Sequence, residues 1–123
     1  MDNHSRYSKS DLLRTLIESP TQVYTIAIAG NQGAVKGIEW SEVLRGLEFL
    51  EDLAARSGGV SIRLGAHENP SAAATRLAGA IRNQYVVGYH TPDNDQSGKW
   101  HTIQVKVNRS KAKIYARSSY QAP

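Results

Sequence analysis

Asp93, Asp95, Ser97 and Gly98 stand in the order D-x-D-x-S-G, which is how a calcium loop sets alternate oxygen ligands ahead of a glycine turn. The last place of such a loop needs a bidentate glutamate, and here it is Gln104. Its flanks, YVVGYHT and KWHTIQVKV, alternate like strands where the calcium motif requires helices. A solvated connecting loop is therefore the preferred reading, and no metal ligand is assigned.

His4, His67, His90 and His101 show no spacing that would place two imidazoles on one helical face, as H-E-x-x-H does. His90 and His101 lie on the two runs flanking the acidic loop, where a two-histidine site and ordinary cross-strand packing are both open; packing is preferred. The chain has no cysteine, so thiolate ligands, disulfides and a cysteine nucleophile are excluded. No G-x-S-x-G elbow occurs. GNQGAVKG follows a strand-like run, but it has neither the dinucleotide spacing G-x-G-x-x-G nor the phosphate-loop spacing that ends in Gly-Lys. No catalytic or cofactor-binding residue is assigned, no cofactor is implied, and the chain is not expected to be an enzyme.

The charge is more informative than the motifs. Residues 99–123 carry Lys99, Lys106, Arg109, Lys111, Lys113 and Arg117 with no acid, a local +6 against +4 for the whole chain, so the remainder is net acidic. Such a segment is a candidate basic surface for phosphates or acidic protein. The preferred alternative is that these side chains solvate a sheet and protect its edges from aggregation. Base stacking would need exposed aromatic rings among the cations, and exposure is not visible in a sequence.

These residues must be positioned by one small domain. A length of 123 residues with 40% hydrophobic and 21% charged content is ordinary for a single core. No apolar run is long enough to span a bilayer, and the first residues lack the basic-then-apolar order of a signal peptide. SKSDLLRTLIES predicts a helix, with Ser8 and Asp11 forming a capping box, Leu12, Leu13, Leu16 and Ile17 an apolar stripe, and Pro20 the end. QVYTIAIAG reads as a strand covered on both faces. A glycine-rich loop follows to about Trp40.

From Ser41 to Ser57, Val43, Leu44, Leu47, Phe49, Leu50 and Leu53 recur at mostly helical spacing, with Gly58 placed for a left-handed cap. VSIRLG then alternates as a short strand, with Val60, Ile62 and Leu64 inward. Asn69-Pro70 opens a third helix carrying Ala73, Leu77, Ala80 and Ile81 on one side. Beyond Asn83 the period falls to two. QYVVGYHT, KWHTIQVKV and KAKIYARSSY predict a three-stranded antiparallel meander, with NRSK as a hairpin connection. The domain is thus an αβαβα half over 1–83 followed by a β tail over 84–123.

Taken in order, DNHSRYS, VYTIAI, LEFLEDLAARSGG, RNQYVVGYHTPDNDQSGKWHTIQVKV and the closing ARSSYQAP resemble the C-terminal half of the von Willebrand factor type A-related domain abundant in Acidobacteria. The similarity covers nearly the whole chain, and the last forty or so residues are its most specific part. The resemblance implies an α/β fold: a partial, Rossmann-type parallel sheet in which QVYTIAIAG and GVSIRLG are neighbouring parallel strands, joined by a right-handed crossover. Type A domains carry a metal-ion-dependent adhesion site built on D-x-S-x-S, and no such motif occurs in this sequence. Asp2 is not promoted to ligand, and metal-dependent adhesion is not carried over. Full-length relatives with signal sequences imply a secreted or cell-envelope setting, which this chain does not itself indicate.

The abrupt polar start is read as a truncated domain. On that reading QVYTIAIAG loses one neighbour, and Val23, Tyr24, Ile26 and Ile28 become a candidate dimer edge of unpaired backbone groups with no protecting charge. The expected function is a non-enzymatic protein-interaction module acting as a homodimer, by edge pairing or by exchange of C-terminal strands. The competing arrangement folds the basic tail onto the chain's own edge. The alternative function is a small nucleic-acid-binding protein using Lys99 to Arg117 with Trp100, Tyr115 and Tyr120.

Overall fold

A computed structural model of the chain describes residues 5–28, 39–88 and 98–121. The first helix, α1 (Lys9–Glu18), starts where the capping box requires. Ser8 Oγ accepts from the Asp11 N–H at 3.2 Å, and the Ser8 N–H donates to Asp11 Oδ2 at 3.2 Å. Leu16 is buried, Leu13 and Ile17 are half-buried, and Leu12 stays exposed, so the apolar stripe is narrower than its sequence. Pro20 follows the extended C-cap Ser19.

Strand β1 (Thr25–Ile28) pairs in parallel with β2 (Ser61–Leu64), Ile26 opposite Ile62 and Ile28 opposite Leu64. Between them runs α2 (Trp40–Ser57), closed by Gly58 at φ 77°, a left-handed conformation that glycine adopts without a Cβ penalty. The predicted start at Ser41 is off by one residue. Helix α3 (Pro70–Arg82) opens on Asn69, whose Oδ1 accepts from the Ser71 N–H at 2.9 Å, with proline in the first turn.

The two helices cover opposite faces of the parallel pair. Ile62 and Leu64 pack with Ala73 of α3, and Ile26, Val60 and Leu77 close around them. Side chains alternate across a strand, so Thr25, Ala27, Ser61 and Arg63 face the other way. There Arg63 donates to Glu51 of α2 at 2.9 Å and Thr25 Oγ1 to Ser61 Oγ at 2.8 Å. The coverage expected for β1 therefore holds at Ile26 and Ala27 and fails at Ile28, which remains 65% exposed.

The tail differs from the expected meander. It contains β3 (Trp100–Thr102) and β4 (Ser119–Gln121), paired antiparallel with His101 opposite Tyr120. One further bond, from the Ile103 N–H to the Ser118 carbonyl at 2.8 Å, extends the ladder inward. Past it, residues 104–117 form no regular strand, and the NRSK connection is a turn in which Lys111 takes φ 63°. Residues 84–88 form no strand either, and Tyr85, Val86 and Val87 are almost wholly exposed. Alternation without a core face or paired neighbour leaves such runs extended rather than laddered. The rest of that predicted strand lies outside the described residues.

Candidate functional site

Two surfaces predicted from sequence can be located: the edge of β1 and the basic tail. At the first, the Thr25 N–H donates to the Val60 carbonyl at 3.0 Å. Backbone groups of a parallel strand point alternately to its two sides, so Thr25 and Ala27 address β2 while Ile26 and Ile28 direct their N–H and C=O groups away from it. Among the described residues β1 has β2 as its strand partner and no other. The open edge is thus offered by backbone, with Ile28 the exposed side chain.

The other residues of that candidate edge have different roles. The Val23 N–H donates to Ser57 Oγ at 2.8 Å, and Ile26 is packed toward α3. The Tyr24 hydroxyl donates to Gln22 Oε1 at 3.0 Å and accepts from Gln84 Nε2. Gln84 also donates to Gln22 at 2.9 Å, so the chain leaving α3 is tied to the entrance of β1 before Tyr85 to Val87 run into solvent.

Ser57, Gly58 and Gly59 form a joint that the sequence reading missed apart from the cap. Ser57 is fully buried, accepting from Val23 and donating to the Ala54 carbonyl at 3.0 Å. A Cβ on Gly59 would collide with the Val23 carbonyl, standing 2.8 Å from its carbon, and one on Gly58 would stand 2.8 Å from the Arg117 nitrogen. Arg117 in turn donates from Nη2 to the Ser19 carbonyl and, at 2.7 Å, to the Thr21 carbonyl. The run of small residues in S-G-G is the sequence signal for such close backbone approach.

Compared with protein-family models, curated proteins and solved structures, the chain matches none of them.

In the basic tail, Lys99, Lys106, Arg109, Lys111 and Lys113 are exposed, whereas Arg117 is half-buried and committed to the two carbonyls just named. It belongs to the joint rather than to a free basic surface. Lys113 Nζ sits 5.2 Å from the Tyr115 ring centroid, within cation–π range. Trp100 and Tyr115 are 50% and 46% exposed, and Tyr120 is half-buried, stacked on His101 with centroids 5.1 Å apart. His101 thus packs across to β4; its expected packing against the His90 strand involves His90, which, like Asp93, Asp95 and Ser97, lies outside the described residues. Gly98 takes φ 62°, a left-handed conformation that suits glycine, and its carbonyl accepts from Gln121 Nε2 at 2.9 Å.

Among the described residues no group of histidines and carboxylates has metal-binding geometry, and no helix is long and apolar enough to cross a membrane. The Ser8 hydroxyl and then the Ser8 backbone N–H, with a smaller contribution from Arg14, hold the Asp11 carboxyl below its ordinary value of 3.8. It sits in the α1 cap, away from either surface.

Proposed function

We propose that the chain is a non-enzymatic protein-interaction module, a partial von Willebrand factor A-like sheet whose working surface is the open edge of β1, engaged by a second copy to give a homodimer. The observation that carries this reading is the outward direction of the Ile26 and Ile28 backbone groups on a strand with one described neighbour. Unpaired edge groups beside exposed apolar side chains are a template for strand addition. A four-residue strand with no charge can pair antiparallel with its own copy about a twofold axis. Metal-dependent adhesion forms no part of this function, because D-x-S-x-S does not occur in these residues.

Ile28→Pro separates edge pairing from folding. The N–H it removes faces away from β2, so the internal ladder keeps its bonds, and proline is tolerated at a sheet edge. Sedimentation velocity at tens of micromolar is expected to show a dimer for the wild type and a monomer for Ile28→Pro, with unchanged helical circular dichroism. A wild-type monomer, or a dimer that survives Ile28→Pro, refutes edge pairing. A wild-type monomer would favour the arrangement in which the tail covers the chain's own edge.

A further inference from the structure

Arg14, Arg56 and Arg63 in the α/β part are each paired with a carboxylate, Asp11, Asp52 and Glu51 respectively. Among the described residues the cations of the tail form no such ion pair. Residues 98–121 contain no acid, and Lys99, Lys106, Arg109, Lys111 and Lys113 all reach solvent. Between and beside these cations stand two accessible rings, Trp100 and Tyr115. Cations alone would suit any acidic surface. Cations interleaved with exposed rings fit a ligand that is both polyanionic and able to stack, which is single-stranded nucleic acid.

We propose that residues 99–115 form a sequence-indifferent binding surface for single-stranded nucleic acid, with the five cations tracking phosphates and Trp100 and Tyr115 stacking on bases. A duplex fits less well, because its paired bases hide the faces that the rings would engage. An acidic protein fits less well, because it gives the rings no role. This inference does not use the β1 edge: it rests on residues 99–115, none of which belongs to β1 or β2.

The test is fluorescence anisotropy of the full chain with labelled oligo-dT and oligo-rU of roughly a dozen nucleotides, within the span such surfaces cover. Binding is expected at low salt. It should weaken with added salt along a log–log slope of up to about −3.5, at about 0.7 per phosphate contacted. Lys106→Gln and Lys113→Gln should each make that slope shallower by about 0.7. Replacing both rings, Trp100→Ala with Tyr115→Ala, should weaken binding about tenfold or more at an unchanged slope. Trp100→Phe keeps a stacking face without the indole N–H and should recover much of the affinity that Trp100→Ala loses. No binding at low salt overturns the proposal. So does binding that ignores removal of the rings, or that is matched by polyglutamate, anionic vesicles or a duplex, because the surface would then be a charge patch without base recognition.

Discussion

The parallel pair β1–β2 and the antiparallel pair β3–β4 are similar in length and held in different ways. Every buried apolar residue among those described lies between Leu16 and Ala73, and none lies in residues 98–121. Helices cover the parallel pair on both faces, whereas β3 and β4 lean on the rest of the molecule through α1 and through Arg117. Side-chain burial is the main stabilising term in folding, so the first region holds itself together while the second is held by it. The lesson is that alternating hydrophobicity specifies a strand only when another layer receives one of its faces.

Gly59→Ala breaks this comparison most forcefully. The new Cβ would overlap the carbonyl of Val23, a residue whose N–H is tied to the buried Ser57 hydroxyl just ahead of β1. Neither chain can withdraw without giving up pairing or burial, so the expected loss is on the order of 4 kcal/mol or more, in the range reserved for severe core lesions. Thermal unfolding followed by circular dichroism should lose its cooperative transition. Retention of a sharp transition near the wild-type midpoint would mean that the parallel pair tolerates backbone displacement, and that it is no more tightly specified than the tail.

The parts of the fold that were legible in the sequence are those whose cause is local. Ser8 with Asp11, Gly58 and Asn69-Pro70 are signals carried by neighbouring residues, and each marks a helix end found in the structure. The alternation of Ile62, Arg63 and Leu64 likewise marked the buried face of β2, although α2 covers the other face as well. What was hidden depends on contacts between distant segments. Nothing beside Arg117 shows that its guanidinium reaches carbonyls of Ser19 and Thr21, nor beside Ser57 that its hydroxyl receives the Val23 N–H. The residues YVV carried a strong strand pattern and formed no strand, because strand formation requires a partner and propensity supplies none. Of the candidate edge, the strand itself was legible, but which of its residues turn outward followed only from the register.

A medium effect is expected from Arg117→Met, which keeps much of the side-chain length and removes the donors. Hydrogen bonds from a charged group to buried or half-buried carbonyls contribute more than neutral ones, and partial exposure reduces that, so the whole chain should lose about 1 kcal/mol. The distribution of the loss is the sharper readout. Hydrogen exchange at the Ile103 amide, which reports the inner end of the tail ladder, should become fast. Exchange at Thr25, bonded within the parallel pair, should speed up by no more than the global loss, about fivefold. If both amides lose protection together, the two regions form one cooperative unit and the contrast between them is wrong.

The smallest expected effect comes from acid, and it separates the regions by composition. Asp11 is held below 3.8 chiefly by the Ser8 hydroxyl, so the folded chain binds that proton more weakly than the unfolded chain. Its contribution is therefore complete above the unfolded value and fades as the pH falls through the lower folded value. Residues 98–121 contain no carboxylate and have nothing of their own to protonate in this window. On lowering the pH from about 5 toward about 2, exchange at the Leu12 amide, which donates to the Ser8 carbonyl at 3.1 Å, should accelerate relative to its intrinsic rate in the wild type. It should change less in Asp11→Asn, which never carries the charge. The Ile103 amide should follow only as far as α1 supports β4. An Ile103 response as large as that at Leu12, and equally abolished by Asp11→Asn, would show that the cap of α1 stabilises the tail directly, and would make α1 part of the second region instead of the first.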